Sequence, residues 1–290
     1  MNDSNPFQTP ESDVSPTPAN TANTNNKTIV CNTVAALNGA NWVIDGFRNF
    51  AINPFSWLLV VFLYLLMLGT LSILPFISII STIIAPIFMA GLMIIAKENK
   101  YNSSFSINNL FDGFRLNGGK LAGLGAIYFG MIILLFMVLG IIALVVLFGN
   151  IENIESFADP SNFTPNTALI FLLFILIALA VMIPIIMAFW FAPALVIFHD
   201  IEIFDAIKLS FTGCIKNVLP YLIYSLVYIV VYFVAIIPVA LLAIFLDSND
   251  PNPIIIILMI LTGLSIALIL TATFFTSVFA SYEDIFSTEP

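Results

Sequence analysis

The sequence predicts an all-α integral membrane protein: six transmembrane helices in three hairpins, each hairpin preceded by an amphipathic interface helix. Three observations carry this. Long apolar stretches at 49–96, 121–151, 160–198, 217–246 and 251–282 contain no Asp, Glu, Lys or Arg, and an uncharged apolar run of about 18 residues or more reads as a membrane span. All eight basic residues, Lys27, Arg48, Lys97, Lys100, Arg115, Lys120, Lys208 and Lys216, fall outside those stretches. Composition agrees, with 60% hydrophobic and 9% charged residues and a mean hydropathy of +1.07. A soluble domain carries roughly a quarter charged residues, so this chain cannot be solvated over its whole surface.

Residues 1–29 stand apart. Asn, Thr, Pro and Ser dominate and no apolar run exists, so burial cannot offset the entropy of ordering. The basic start and apolar core of a signal peptide are missing. This segment is expected to be a disordered cytoplasmic tail, and 30–286 to form the membrane domain. The stretch 49–96 would reach roughly 70 Å as one helix, against about 30 Å of hydrocarbon. Pro75 near its middle marks a hairpin turn, giving spans Phe55–Ile73 and Phe76–Ala96. Leu121–Phe148 and Ala168–Phe198 form the second pair, across a loop with Glu152, Glu155 and Asp159 but no basic residue. Pro220–Leu246 and Pro253–Ala280 form the third, across a loop holding Asp247 and Asp250. Lys and Arg gather on the cytoplasmic side of spans, so both termini are expected inside and loops 149–166 and 247–252 outside.

The segments ahead of the hairpins resemble one another. Asp-Gly-Phe-Arg occurs at 45–48 and again at 112–115, and Asp205-Ala-Ile-Lys208 keeps the phase without the tetrapeptide. Apolar Phe204, Ile207, Phe211 and Ile215 oppose Asp205, Lys208, Thr212 and Lys216; Val43, Phe47 and Phe50 oppose Asp45 and Arg48; Ile107, Leu110 and Phe114 oppose Asn108, Asp112 and Arg115. Spacings of three and four with opposed faces describe amphipathic helices, which beside a span lie in the bilayer interface. Repeat units of about 40–100, 105–200 and 201–286 follow. Ala85-Pro86 and Ala192-Pro193 recur in the second span of the first two units, where proline removes a backbone hydrogen bond and kinks the helix.

The run Trp190-Phe-Ala-Pro-Ala-Leu-Val196, His199-Asp200, Asp205-Ala-Ile-Lys-Leu-Ser-Phe211, Cys214, Lys216-Asn217 and Pro220 resembles a family of uncharacterised six-span inner-membrane proteins of Gram-negative bacteria. Gly39-Ala-Asn-Trp42, Gly46-Phe47, Pro54 and Tyr282-Glu-Asp-Ile285 fit the same pattern. More distantly, the layout is similar to the membrane domains attached to some glycerophosphodiester phosphodiesterases, without their catalytic domain. The resemblance implies fold and the bacterial inner membrane as location; it implies no activity.

Candidate sites are few. His199, Asp200, Glu202 and Asp205 have metal-ligand types, but one His with scattered acids at a helix start is better read as a solvated face favoured by the helix dipole. No nucleophile–base pair, phosphate loop or HExxH motif is present. No catalytic residue, metal or cofactor is therefore expected, and the chain is read as a non-enzyme. The net charge of −9 is spread over tails and loops, and without a basic cluster nucleic acid is excluded as a partner. Cys31 and Cys214 both fall on the expected cytoplasmic side, where free thiols are the default.

Spans without charge argue against ion-coupled transport, but hydroxyls remain. Tyr221, Tyr224, Ser225, Tyr228 and Tyr232 follow one face of the fifth span, and Thr262, Ser265, Thr273 and Thr276 follow one face of the sixth. They either pair across the helices or line a weakly polar groove for a lipid-like ligand. Ala122, Ala126 and Gly130 form a small-residue packing stripe on the third span. Two functions fit: a protein that organises, regulates or senses lipid or envelope components, or a permease or exporter of a neutral or amphiphilic small molecule. Membrane lipids are the expected partners, with a second copy or other membrane proteins left open.

Overall fold

The structure is a computed structural model, which describes residues 29–72, 75–148, 165–246 and 252–288. The tail and the two acidic loops lie outside the described residues. Among those described, six helices are long and apolar enough to cross a membrane. A strand β1 (Ile29–Cys31) precedes the amphipathic α1 (Asn38–Ile52), and α2 (Pro54–Ser72) and α3 (Pro75–Asn102) make the first hairpin. A short 3₁₀ turn (Ile107–Phe111) leads into α4 (Asp112–Phe148). The chain continues through α5 (Pro165–Trp190), α6 (Ala192–His199), amphipathic α7 (Ile203–Lys216), α8 (Val218–Ala243), α9 (Pro253–Ile285) and strand β2 (Phe286–Thr288). Pro54, Pro75 and Pro253 each open a helix, where the missing N–H would be unpaired anyway. Asn252 caps α9, accepting from Ile254 N at 2.9 Å.

The fourth span carries the proline kink expected at Ala192-Pro193 as a full break. It breaks at Phe191 into α5 and α6, with Pro193 in the first turn of α6. Ser210 of α7, fully buried, heals the break: its Oγ accepts from Phe191 N at 2.9 Å and donates to Met187 O at 2.8 Å. A gap in a spanning helix persists only where neighbouring groups satisfy the freed backbone. Pro86, by contrast, sits inside α3 without interrupting it. Same dipeptide, different outcome: Ser210 supplies the second with a side chain to the exposed carbonyl and N–H.

The hairpins are joined in a ring. The 3₁₀ turn and the start of α4 pack on α3, α7 packs on α5 and α6, and α1 packs on α9. Each amphipathic segment thus leans on the second span of the unit before it, and α1 closes the circle on the last. Strand β1 pairs antiparallel with β2, Ile29 opposite Thr288 and Cys31 opposite Phe286, so both ends of the described chain meet on the same side.

The repeated tetrapeptide explains itself here. A Cβ on Gly46 would lie 2.7 Å from Ser277 Cβ and 2.8 Å from Thr273 O, and one on Gly113 would lie 2.3 Å from Ile87 O. Glycine lets the amphipathic segment touch the backbone of the span beneath it. The third unit has Ala206 there, fully buried. The face turned to the protein carries small residues beside two large ones in α1, with Gly39, Gly46 and Asn49 flanking Trp42 and Val43, and Ala206, Ser210, Gly213 and Cys214 in α7. On the apolar face expected to lie in the bilayer interface, Phe204 and Ile215 are exposed beside Lys208 and Lys216, a surface suited to lipid there. The stripe expected on α4 is also displaced. Ala126 is exposed and nothing lies within 4 Å of a Cβ on Gly130, whereas Gly125 meets Ile83 O and Leu121 and Leu124 are buried. On a helix apolar all round, hydrophobicity does not choose the packed face; the tightest backbone approach does.

Candidate functional site

The hydroxyl stripe splits into an inner and an outer half. Toward the charged end, Tyr224 and Tyr228 are buried and their hydroxyls converge on Ser277 Oγ at 2.8 and 2.9 Å. Ser277 donates in turn to Phe274 O at 2.7 Å. Tyr221 donates to Ser281 Oγ at 3.4 Å. Thr273 bonds back to Ile269 O and Leu270 O, and Thr276 reaches across to Gly46 O at 2.8 Å, pinning α1 to α9. On the exposed side of the same stretch Ser225 bonds Tyr221 O, and away from the charged end Ser265 bonds Leu261 O, each within its own helix. Tyr232 is exposed with its ring 6.1 Å from that of Tyr228, and Thr262 is half-buried on α9. The acceptors that organise the tyrosines, Ser277 and Ser281, lie on the same face of α9 as Thr273 at helical spacings of four, so the sequence held the signal for both.

Beside the inner half lies a lateral groove of about 390 Å³ between α5 and α8, floored by Cys214 of α7. Ile183, Ile186, Met187 and Trp190 form one wall and Val218, Tyr221, Leu222, Tyr224 and Ser225 the other, and the lining is almost wholly apolar. Three residues of the expected hydroxyl groove, Tyr221, Tyr224 and Ser225, border it. Tyr228, Tyr232 and the α9 hydroxyls do not. A second groove of about 360 Å³ between α8 and α9, beside Phe47, is lined only by apolar side chains such as Val230, Val234 and Ile266.

At the charged end, asparagines take the load. Each amphipathic segment meets its following span at one: Asn53 (φ −138°), Asn117 (φ −138°) and Asn217 (φ −120°) all leave helical geometry. Asn53 Nδ2 donates to Asn99 Oδ1 at 2.7 Å and Ser103 O at 2.9 Å, and Asn117 Nδ2 donates to Val196 O at 3.1 Å. Asn217, fully buried, donates to Asn32 O and Gly213 O and accepts from Val34 N, each at 2.9 Å. Asn99, also fully buried, ties α3 to α1 through Asn49 O and Oδ1 at 2.6 and 2.7 Å. Asp284 accepts from Asn38 Nδ2 and Trp42 Nε1, both at 2.8 Å, and Glu283 takes Lys100 and the Tyr101 hydroxyl at 2.5 Å. Asn217, Trp42, Glu283 and Asp284 stood in the sequence as parts of the family resemblance without a role, whereas Asn49, Asn53, Asn99 and Asn117 were not singled out there.

The other candidates have plain partners. Asp45–Arg48 and Asp112–Arg115 are exposed ion pairs at 3.0 and 3.4 Å, worth a few tenths of a kcal/mol. Lys120 bridges Asp200 and Glu202 at 2.9 and 3.0 Å. Among the described residues no three His, Cys, Asp or Glu side chains are placed to hold a metal. Cys31 and Cys214 are free. Burial pushes the Cys214 thiol up to about 12, and burial, partly offset by Lys216, raises Cys31, so both stay protonated at neutral pH.

Six apolar helices with every described basic residue at one end define a multi-pass, all-α membrane protein. The chain is similar to a probable inner membrane protein of Burkholderia thailandensis, 27% identical over 204 residues that make up 67% of this chain and 73% of the relative. With the six helices, this makes it an inner-membrane protein. No family model matches the chain, and no solved structure does.

Proposed function

We propose that this protein is non-enzymatic and holds membrane lipid in its lateral grooves, organising or sensing the lipid around it. The observation that carries this reading is the α5–α8 groove, which faces outward at membrane depth and is walled by apolar side chains. Its neighbouring tyrosine hydroxyls are spent on Ser277 and Ser281. A groove wetted by acyl chains needs few polar groups, whereas a path for a polar solute needs many. The amphipathic segments add exposed apolar side chains beside lysines, the composition of a surface that reads the interface.

In this reading the charged end faces the cytoplasm, following the distribution of lysine and arginine, and both termini lie there. The signature of the six-span family supports the same placement. Its residues act in the structure as clamps: Ser210 on the helix break, Asn217 on the strand β1 segment, Trp42 on Asp284.

The test is extraction into polymer-bounded discs followed by detergent exchange and lipid mass spectrometry. Lipid retained through exchange, together with proteoliposomes no more permeable to glycerol-sized neutral solutes than empty vesicles, is the expected result. Protein-dependent solute flux would overturn it in favour of the permease. Reporter fusions after Asn150 or Asp250 should be active only when the reporter requires export, and fusions after Lys100 or Lys208 should be silent.

A further inference from the structure

At the break in the fourth span, Phe191 N and Met187 O are four residues apart, the two ends of one ordinary helical hydrogen bond. The Ser210 hydroxyl stands inside that bond, accepting from Phe191 N at 2.9 Å and donating to Met187 O at 2.8 Å. The ladder resumes with Leu195 N on Phe191 O at 2.9 Å. Phe191 itself is only bent away from helix, at φ −106° and ψ −8°. A side chain inserted into the ladder is one of the few causes of a sharp kink. Proline alone is not enough here, since α3 runs unbroken through Pro86.

Withdrawing the hydroxyl would strand nothing. Phe191 N–H would close directly on Met187 O. The serine would turn back to the Ala206 carbonyl of its own helix, as Thr212 does to Lys208 O at 2.8 Å. Two hydrogen bonds are made with the hydroxyl in and two with it out. A buried element needs that equality to hold two populated states, because an unpaired polar group among apolar side chains would suppress one of them. Packing also differs on the two sides of the joint. On the charged side α6 is buried from Ala192 to Val196. On the far side α5 rests on α4, and no residue from 168 to 184 is fully buried. The α5–α8 groove runs along this loosely held arm, with Ile183, Ile186 and Met187 in its wall.

We infer that the fourth span is a two-state arm, bent while Ser210 is inserted and straighter once it withdraws, and that the joint sets the width of the α5–α8 groove. A change of about 20° at Phe191 carries Ile183, about 12 Å away along the helix, by about 4 Å. Bent and straight arms differ in reach across the membrane, so bilayer thickness biases the choice between them. What the groove holds rests on the lipid reading above; the switch itself stands on the geometry of the joint.

The experiment measures spin-label distances by pulsed electron resonance in lipid discs, in protein carrying Cys31→Ser and Cys214→Ala. One label pair is Ile175→Cys on α5 with Ile236→Cys on α8, both exposed and each fifteen residues from the contacting rings of Trp190 and Tyr221. The reference pair, Leu66→Cys on α2 with Ile236→Cys, does not span the joint. With Ser210 intact the first pair should show two distances about 8 Å apart, the arc of about 20° at sixteen residues from Phe191. Their ratio should change at least twofold between 14-carbon and 18-carbon phosphatidylcholine discs. Ser210→Ala should leave one distance, and Pro193→Ala, which restores an N–H to face Phe189 O, should shift the ratio the same way. The reference pair should stay put throughout. A single distance in both lipids with Ser210 intact would overturn the switch, whether or not Ser210→Ala folds. A folded Ser210→Ala with an unchanged distribution would overturn it too. Two distances in protein that retains no lipid would keep the switch and remove the lipid reading, and retained lipid with one distance would do the reverse.

Discussion

The charged half of the bundle and the far half are built on different principles. In the charged half, α3, α6 and α9 meet around Phe88, Leu92, Leu195 and Phe279, all nearly fully buried, and Phe198 stacks near Phe279 and Tyr282 with centroids 6.2 and 5.5 Å away. Glycines admit backbone to backbone, and asparagine, serine and threonine side chains finish the hydrogen bonds. In the far half each helix buries one narrow stripe: on α5 only Ile170, Phe174, Ala178 and Met182 are even half-buried between 168 and 184, and on α8 Leu241, Ile237 and Phe233 are exposed. Lipid tails are as apolar as leucine, so apolar side chains alone give helices little reason to associate. Close approach and polar pairing do. The charged half has both, and the grooves open where that packing gives way.

Substitutions should expose this contrast as a graded series. Largest is Gly46→Leu, which drives a side chain into Ser277 and the Thr273 carbonyl; it should cost more than about 3 kcal/mol, seen as lost folded protein on gel filtration. Gly140→Leu in the far half, with nothing within 4 Å of its Cβ, should stay within about 0.5 kcal/mol. Comparable losses at the two glycines would break the comparison.

Next is Asn217→Leu. It strands the Val34 N–H and the Asn32 and Gly213 carbonyls and should lower stability by about 3 kcal/mol, measured by unfolding in a mixed-micelle titration. Asn217→Asp keeps the acceptor for Val34 but loses the two donated bonds, and should fall between the two. A wild-type-like Asn217→Leu would mean that the elbow is not what holds α7 to α8.

Smaller still is Ser277→Ala, which removes the acceptor shared by Tyr224 and Tyr228 and should cost about 1 kcal/mol, with Tyr228→Phe costing about 0.6 kcal/mol, an average hydrogen bond between membrane helices. If the two changes act through one knot, the double variant should lose less than their sum. Smallest is Phe233→Ala, an exposed far-half position, expected within about 0.5 kcal/mol of wild type by the same titration. A large loss there would reveal a partner covering that face.

The signature residues show how legibility varied. Gly39-Ala-Asn-Trp42 and Tyr282-Glu-Asp-Ile285 lie at opposite ends of the chain, and nothing local in either says that they touch. In the fold Trp42 and Asn38 share the Asp284 carboxylate and Asn32 N donates to Ile285 O at 2.8 Å. The Asp-Gly-Phe-Arg repeat was visible as a repeat, yet its amphipathic pattern directed attention to phenylalanines when the glycine made the contact. At the candidate site the tyrosine face was readable from spacing on α8. The face of α9 that holds its acceptor Ser277 was readable as well, four residues on from Thr273, but which tyrosines Ser277 meets depends on how the neighbouring helices rotate.

Sequence by itself determined the helices, their number, their pairing into hairpins and the end that carries the charge. Each follows from local chemistry: twenty apolar residues cannot stay in water, a backbone in hydrocarbon must satisfy itself, and lysines cannot cross. Tertiary structure alone decided which face of each all-apolar helix is packed, that α6 breaks from α5 where Ser210 can heal the gap, and that the ring closes through α1 and the paired strands. It also decided that a groove runs beside Trp190. Those outcomes turn on backbone approaches of a few ångströms between segments far apart in the chain, and an apolar surface uniform around a helix carries no record of which side will be met.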